Sequence, residues 1–173
     1  MNQLFKILII TIGFGLCNGN SLFAATDTSR IIFSINDNWK FLNKGMAYAN
    51  KPNIDVSKWQ TVSLPHTWNV SDPFDDDKTY KRGIAWYRKE LHLDDQLRNK
   101  EVYIYFEGAN QVADVYVNGA FAGEHKGGYT AFAIDITPYL NWGNDNKNLI
   151  AVQVNNAHDP FIPPLDIGSK LYG

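Results

Sequence analysis

Residues 101–140 read EVYIYFEGANQVADVYVNGAFAGEHKGGYTAFAIDITPYL, and this stretch decides the fold class. From Glu101 to Phe106 the apolar residues fall at every second position. Val102, Ile104 and Phe106 share one face of an extended strand, and Tyr103 and Tyr105 share the other. Ala113 to Val117 leads into Asn118-Gly119 and then Ala120 to Ala122. Asn-Gly between two strand-like runs signals a tight hairpin, because both residues accept a positive φ. In Thr130 to Ile136, Phe132, Ile134 and Ile136 alternate with Ala131, Ala133 and Asp135. Thr137-Pro138 ends that strand, and Pro138 opens a single helical turn through Leu140.

The same period extends outward. Arg30 to Ile35, Gln60 to Leu64, Trp86 to Leu93 and Leu149 to Val154 read as further strands. No run of twelve residues after residue 25 carries helical periodicity. Short strands separated by turn signals imply an all-β, antiparallel sandwich. Periodicity does not distinguish a jelly roll from an immunoglobulin-like sandwich. Two stretches read as loops: Pro65 to Gly83, which carries Asp72, Asp75, Asp76 and Asp77, and Asn155 to Gly173, where Pro160, Pro163 and Pro164 forbid a central strand.

The chain has 173 residues and a formal charge of −2, with 16 basic and 18 acidic side chains and no basic patch. One domain is expected, and nucleic acid or an anionic membrane is a poor partner. Lys6 followed by the apolar run Ile7 to Leu16 is too short to span a bilayer and reads as an export leader over residues 1–25, cut beside Ala24-Ala25. The expected location is therefore the periplasm or the extracellular space, with no membrane attachment after cleavage. A lipid anchor on Cys17, the sole cysteine, is the alternative. A disulfide framework is excluded in either case.

The stretch 101–140, together with LPHTW at 64–68, RGIAWYRKEL at 82–91 and LIAVQVNNAHDPFIPPLDIGSKLYG at 149–173, resembles the N-terminal domain of glycoside hydrolase family 2, the β-galactosidase, β-glucuronidase and β-mannosidase group. The resemblance implies a jelly-roll, galactose-binding-like sandwich over 26–154. It also implies that residues 155–173 form a proline-rich linker toward an immunoglobulin-like domain and a catalytic barrel. In that family the two catalytic glutamates belong to the barrel, so no catalytic residue is expected here. Hydrolysis requires two carboxyl groups facing each other across the scissile bond. The four glutamates, Glu90, Glu101, Glu107 and Glu124, offer no evident pairing.

The resemblance points to substrate contacts from the acidic loop, with Asp75, Asp76 and Asp77 as candidates, and from Asp166 in the linker. Asp166 stands two residues off the family register and reads equally as a turn before Gly168. The loop carboxylates are also compatible with a solvated loop. They lack the ligand spacing and turn glycine of a calcium loop, so no metal site or cofactor is assigned. His66, in the family signature, is expected to anchor its loop on a backbone group. Glu107 to Asn110 and Asn118-Gly119 are expected to be structural.

The resemblance favours the non-catalytic front domain of an exported β-galactosidase-like enzyme that hydrolyses terminal β-linked sugars. Its partners would be the carbohydrate, the rest of the parent chain and a second copy in a homo-oligomer. Two alternatives remain. One is a free-standing carbohydrate-binding module, which needs a row of exposed aromatics drawn from Trp39, Trp59, Trp68, Trp86 and Trp142. The other is a truncated, inactive gene product.

Overall fold

The computed structural model describes residues 5–10, 30–68, 81–143 and 147–163. Ten strands run in chain order: β1 Phe5–Ile10, β2 Ile31–Ser34, β3 Trp39–Leu42, β4 Gln60–Val62, β5 Ile84–His92, β6 Glu101–Phe106, β7 Val112–Val117, β8 Ala120–Lys126, β9 Phe132–Asp135 and β10 Lys147–Asn155. Two short 3-10 turns complete the described elements, Asp95–Leu97 and Thr137–Tyr139. The second is the turn expected at Pro138.

The strands form two sheets, with orders β2-β1-β6-β9 and β4-β3-β5-β10-β7-β8. Every ladder is antiparallel. The molecule is the all-β jelly-roll sandwich anticipated above. The hairpin closes at Asn118-Gly119, whose φ values are 52° and 85°. The sequence reading missed β3, which is four residues long, and placed no strand at β1.

The core fills the space between the sheets. β6 contributes Val102, Ile104 and Phe106, all fully buried, as its alternation requires. Trp39, Tyr87, Val115, Ile150 and Val152 face them from the larger sheet. Burying each such side chain stabilises the fold by about 2 kcal/mol.

β5 and β10 break the alternation, because Ala85 to Arg88 and Asn148 to Val152 are buried without interruption. Residues 43–59 cover the outer face of the larger sheet. There Trp59, Trp86, Ala49 and Ala151 form a second apolar cluster. Strands covered on both faces read as continuous apolar runs rather than alternating ones.

Candidate functional site

At one end of the larger sheet three chain segments converge on an open pocket of about 250 Å³. β3 delivers Asn43, Lys44 and Gly45. The segment after the cis Leu64–Pro65 bond delivers Trp68. Lys81, Arg82, Gly83 and Ile84 lead into β5.

The 81–83 segment is held by one side chain. Asn156 is 4% exposed and lies just beyond β10. Its Oδ1 accepts from the Gly83 amide at 2.8 Å, its Nδ2 donates to the Lys81 carbonyl at 3.1 Å, and its own amide donates to the Gly83 carbonyl at 3.0 Å. Arg82 Nη1 reaches the Asn156 carbonyl at 3.5 Å. Gly83 has φ 131°, a conformation that a side chain would strain. Nothing in the sequence marks Asn156 as a clamp, because its partners are 73 to 75 residues away.

Behind Trp68 lies an aromatic cluster. The Phe41 ring meets Trp68 at 6.3 Å, His66 at 4.5 Å and Tyr87 at 4.8 Å. His66 Nδ1 is 2.9 Å from the Tyr87 hydroxyl. His66 does anchor its loop, but on this hydroxyl rather than on the expected backbone group. Burial lowers the His66 pKa and raises that of Tyr87, so both groups are held neutral.

Among the described residues the pocket lining carries three cations, one carboxamide and an indole, and no carboxyl group. It can donate hydrogen bonds to a hydroxylated ligand, accept one through the Asn43 carboxamide and offer it a ring edge, but its described lining holds no carboxyl group to act as the acid of a glycosidase. Asp75, Asp76, Asp77 and Asp166, the expected substrate contacts, lie outside the described residues, as does Asp72.

The glutamates are dispersed. Glu90 pairs with Lys147 at 2.7 Å, and Glu124 with Lys126 at 2.8 Å. Glu101 accepts from the Tyr103 hydroxyl at 3.2 Å. Glu124 does stand opposite Asp114 across the β7–β8 ladder. Burial, and next the Glu124 charge, raise the Asp114 carboxyl, while Lys126 opposes the shift. That pair spans β7 and the edge strand β8, with Asp114 half-buried and Glu124 exposed and engaged by Lys126. Among the described residues no cluster of three or more His, Cys, Asp or Glu is placed to hold a metal. Trp39, Trp59 and Trp86 are 0%, 7% and 4% exposed, so they belong to the cores and cannot form a sugar-stacking row.

Asn118 is structural, as expected. Its Nδ2 donates to the Tyr139 carbonyl at 2.7 Å and to Asn148 Oδ1 at 2.8 Å, while its Oδ1 accepts from the Leu149 amide at 2.9 Å.

A family model described as glycosyl hydrolases family 2, sugar binding domain, matches residues 32–162. A β-galactosidase of Thermoanaerobacter pseudethanolicus is 44% identical over 137 residues, covering 78% of this chain and 18% of the relative. A β-glucuronidase of Bacteroides fragilis is 36% identical over 139 residues, covering 80% and 19%. The crystal structure of a Bacteroides uniformis β-glucuronidase superposes with a TM-score of 0.69 at 42% identity, covering 75% of this chain and 15% of that one. The chain thus spans less than a fifth of the length of these relatives.

Proposed function

The chain belongs to glycosyl hydrolase family 2, matching its sugar binding domain, and from that premise we propose that it serves as the non-catalytic front domain of an exported β-glycosidase. The parent enzyme would hydrolyse terminal β-linked sugars with retention, using two carboxyl groups supplied by another domain. The relatives are β-galactosidases and β-glucuronidases. Galactose is the reading carried from the overall sequence likeness. The remaining domains of the parent chain are its partners, with a homo-oligomer as the wider assembly.

The observation that carries this reading is the division of labour at the pocket end. The described residues lining the pocket carry no carboxyl group, and Glu90, Glu101 and Glu124 are engaged with other side chains elsewhere. Such a surface can border a substrate entrance. Among the described residues it presents no pair of carboxyl groups to serve as acid and nucleophile. Asp75, Asp76 and Asp77 are proposed as substrate contacts, a reading supported by the described residues Trp68 and Lys81, which flank residues 69–80 in the chain and both line the pocket. Asp166 is proposed as a second contact from the linker side.

Two assays test the proposal. The 173-residue protein should release no nitrophenol from 4-nitrophenyl β-galactoside or β-glucuronide, and turnover would sink the non-catalytic reading. An antibody to residues 26–173 should detect, in exported fractions of the native cells, a band several times heavier than 19.6 kDa. A band confined to the cytoplasm would remove the export half of the proposal.

A further inference from the structure

Among the described residues, the cover over the outer face of the larger sheet leaves the outward side chains of β8 open. Residues 43–59 pack over Trp86 and Ala151. They reach the β7–β8 hairpin, where Asn50 Nδ2 donates to the Gly119 carbonyl at 3.0 Å. Beside this cover the ladders place a short array of side chains on one face. Gln153 of β10 stands opposite Asp114 of β7, Asp114 opposite Glu124 of β8, and Tyr116 opposite Phe121. The register shift between Val115 and Tyr116 leaves Ala122 out of the pairing, so Phe121 and Glu124 both reach the outer face. Phe121 is 54% exposed and meets the Tyr116 ring edge-on at 5.5 Å. Tyr116 packs in turn against Trp86 at 5.8 Å. Gln153 Nε2 donates to Asp114 Oδ2 at 3.4 Å, and Lys126 engages Glu124. Among the described residues nothing hydrogen-bonds the Tyr116 hydroxyl or Gln153 Oε1.

We propose that Phe121, Tyr116, Asp114 and Gln153 form a non-catalytic subsite for one pyranose unit of a neutral oligosaccharide, separate from the pocket. The C–H face of a pyranose is apolar and packs on an aromatic ring, while its hydroxyls need polar groups placed beside that ring. Phe121 supplies the ring, exposed and braced by Tyr116. The Asp114 carboxylate accepts from hydroxyls, the Gln153 carboxamide donates and accepts, and the Tyr116 hydroxyl does either. The local charge selects a neutral sugar. Asp114 and Glu124 stand side by side, and the cation beside them, Lys126, is paired with Glu124. A uronate or a sulfated glycan would meet like charge here. The same carboxyl groups disfavour a protein partner, because charged residues are depleted at the centre of protein interfaces. β10 separates this array from β5, whose first residue lines the pocket. The proposal rests on the glycosidase reading, which brings a carbohydrate to this chain.

The test follows amide NMR shifts of the 173-residue protein titrated with a β-linked galactotriose, with cellotriose and, as the anionic control, with trigalacturonate. At least one neutral trisaccharide should move the amides of residues 114–116 and 121–124 and the Gln153 side chain, saturably and at millimolar concentration. Trigalacturonate should not. Phe121→Ala and Asp114→Asn should each weaken this binding about fivefold or more, with the amide pattern of the other strands unchanged. Phe121→Tyr keeps the ring and should keep the binding. Phe161→Ala removes an 89% exposed ring beyond β10 and should leave the affinity unaltered. No saturable shift with either neutral sugar would overturn the proposal, as would shifts confined to residues 43–45 and 81–84 or equal shifts with trigalacturonate. Dilution-dependent shifts of the same amides without sugar would also overturn it, by making this face a contact between copies. The nitrophenyl and antibody assays read the parent enzyme. Their failure would leave these shifts in place, and absent shifts would leave the front-domain reading standing.

Discussion

His66 Nδ1 and the Tyr87 hydroxyl lie 2.9 Å apart, which joins the loop after the cis Leu64–Pro65 bond to the middle of β5. The Phe41 ring covers both. Burial holds the imidazole pKa below its ordinary value of 6.5. The unfolded chain therefore binds a proton in a pH range where the folded chain does not, and stability must rise with pH across that range. Expressed without protonation at this site, the fold should be most stable above pH 6.5 and weaken as pH falls through it. Urea melts of wild type and His66→Gln between pH 5 and 8 check this. The variant should lose the part of the slope that His66 contributes. Tyr87→Phe should cost about 1 kcal/mol by removing the partner of a half-buried ring nitrogen.

Asn156 is the clamp of the pocket rim. Asn156→Ala deletes two side-chain hydrogen bonds to the 81–83 segment and should cost about 2 kcal/mol, with faster proteolysis near Lys81 and Arg82. Asn156→Asp is the sharper probe. It keeps the acceptor for Gly83 but loses the donor to the Lys81 carbonyl and places a carboxyl at a 4% exposed position. Its destabilisation should shrink at acidic pH, where the carboxyl is protonated and can donate again. A pH-independent loss would argue against the clamp.

Much of this architecture can be traced to individual residues. The period of two from Val102 to Phe106 and the Asn118-Gly119 pair locate β6 and the β7–β8 hairpin, because side-chain alternation and positive φ are local properties. The pocket is legible only at its labels. Trp68 and Arg82 sit in recognisable motifs, but the side chain that holds the segment of Arg82 at the rim is Asn156, more than 70 residues away in the chain. The uninterrupted burial of Ala85 to Arg88 was equally hidden. It depends on residues 43–59 covering the outer face, and no strand pattern encodes that cover.

Gly123 and Ile134 show how closely β8 approaches β9. A Cβ at Gly123 would lie 2.9 Å from Ile134 Cδ1 and 3.3 Å from its Cγ2. Gly123→Ala should therefore cost about 1–3 kcal/mol by overpacking. Ile134→Val removes the Cδ1 atom responsible for the shorter contact. The double variant should recover at least half of the loss, although each change alone destabilises. A thermal-melt double-mutant cycle reads this coupling, and strict additivity would refute the contact as its source.

Arg88 is 4% exposed, and its guanidinium is directed at backbone rather than at a carboxylate. It donates to the carbonyls of Ala49, of Lys51 at 2.8 Å and of Pro52 at 3.3 Å, and stands 5.8 Å over the Trp59 ring. One planar fork thus fixes the segment that covers the outer face of the larger sheet. Arg88→Lys keeps the charge but replaces the fork with a single ammonium on a shorter reach. It should cost about 2 kcal/mol, since at least one buried carbonyl loses its donor. Arg88→Met fills a similar volume without charge and should cost about 2–4 kcal/mol, because all three carbonyls lose their donor. Both variants should speed proteolysis within residues 43–58 before the global melt, while amide protection in β6 stays at the wild-type level. If the lysine variant matched wild type in both readouts, the positive charge alone would explain the site, and the fork geometry would play no part.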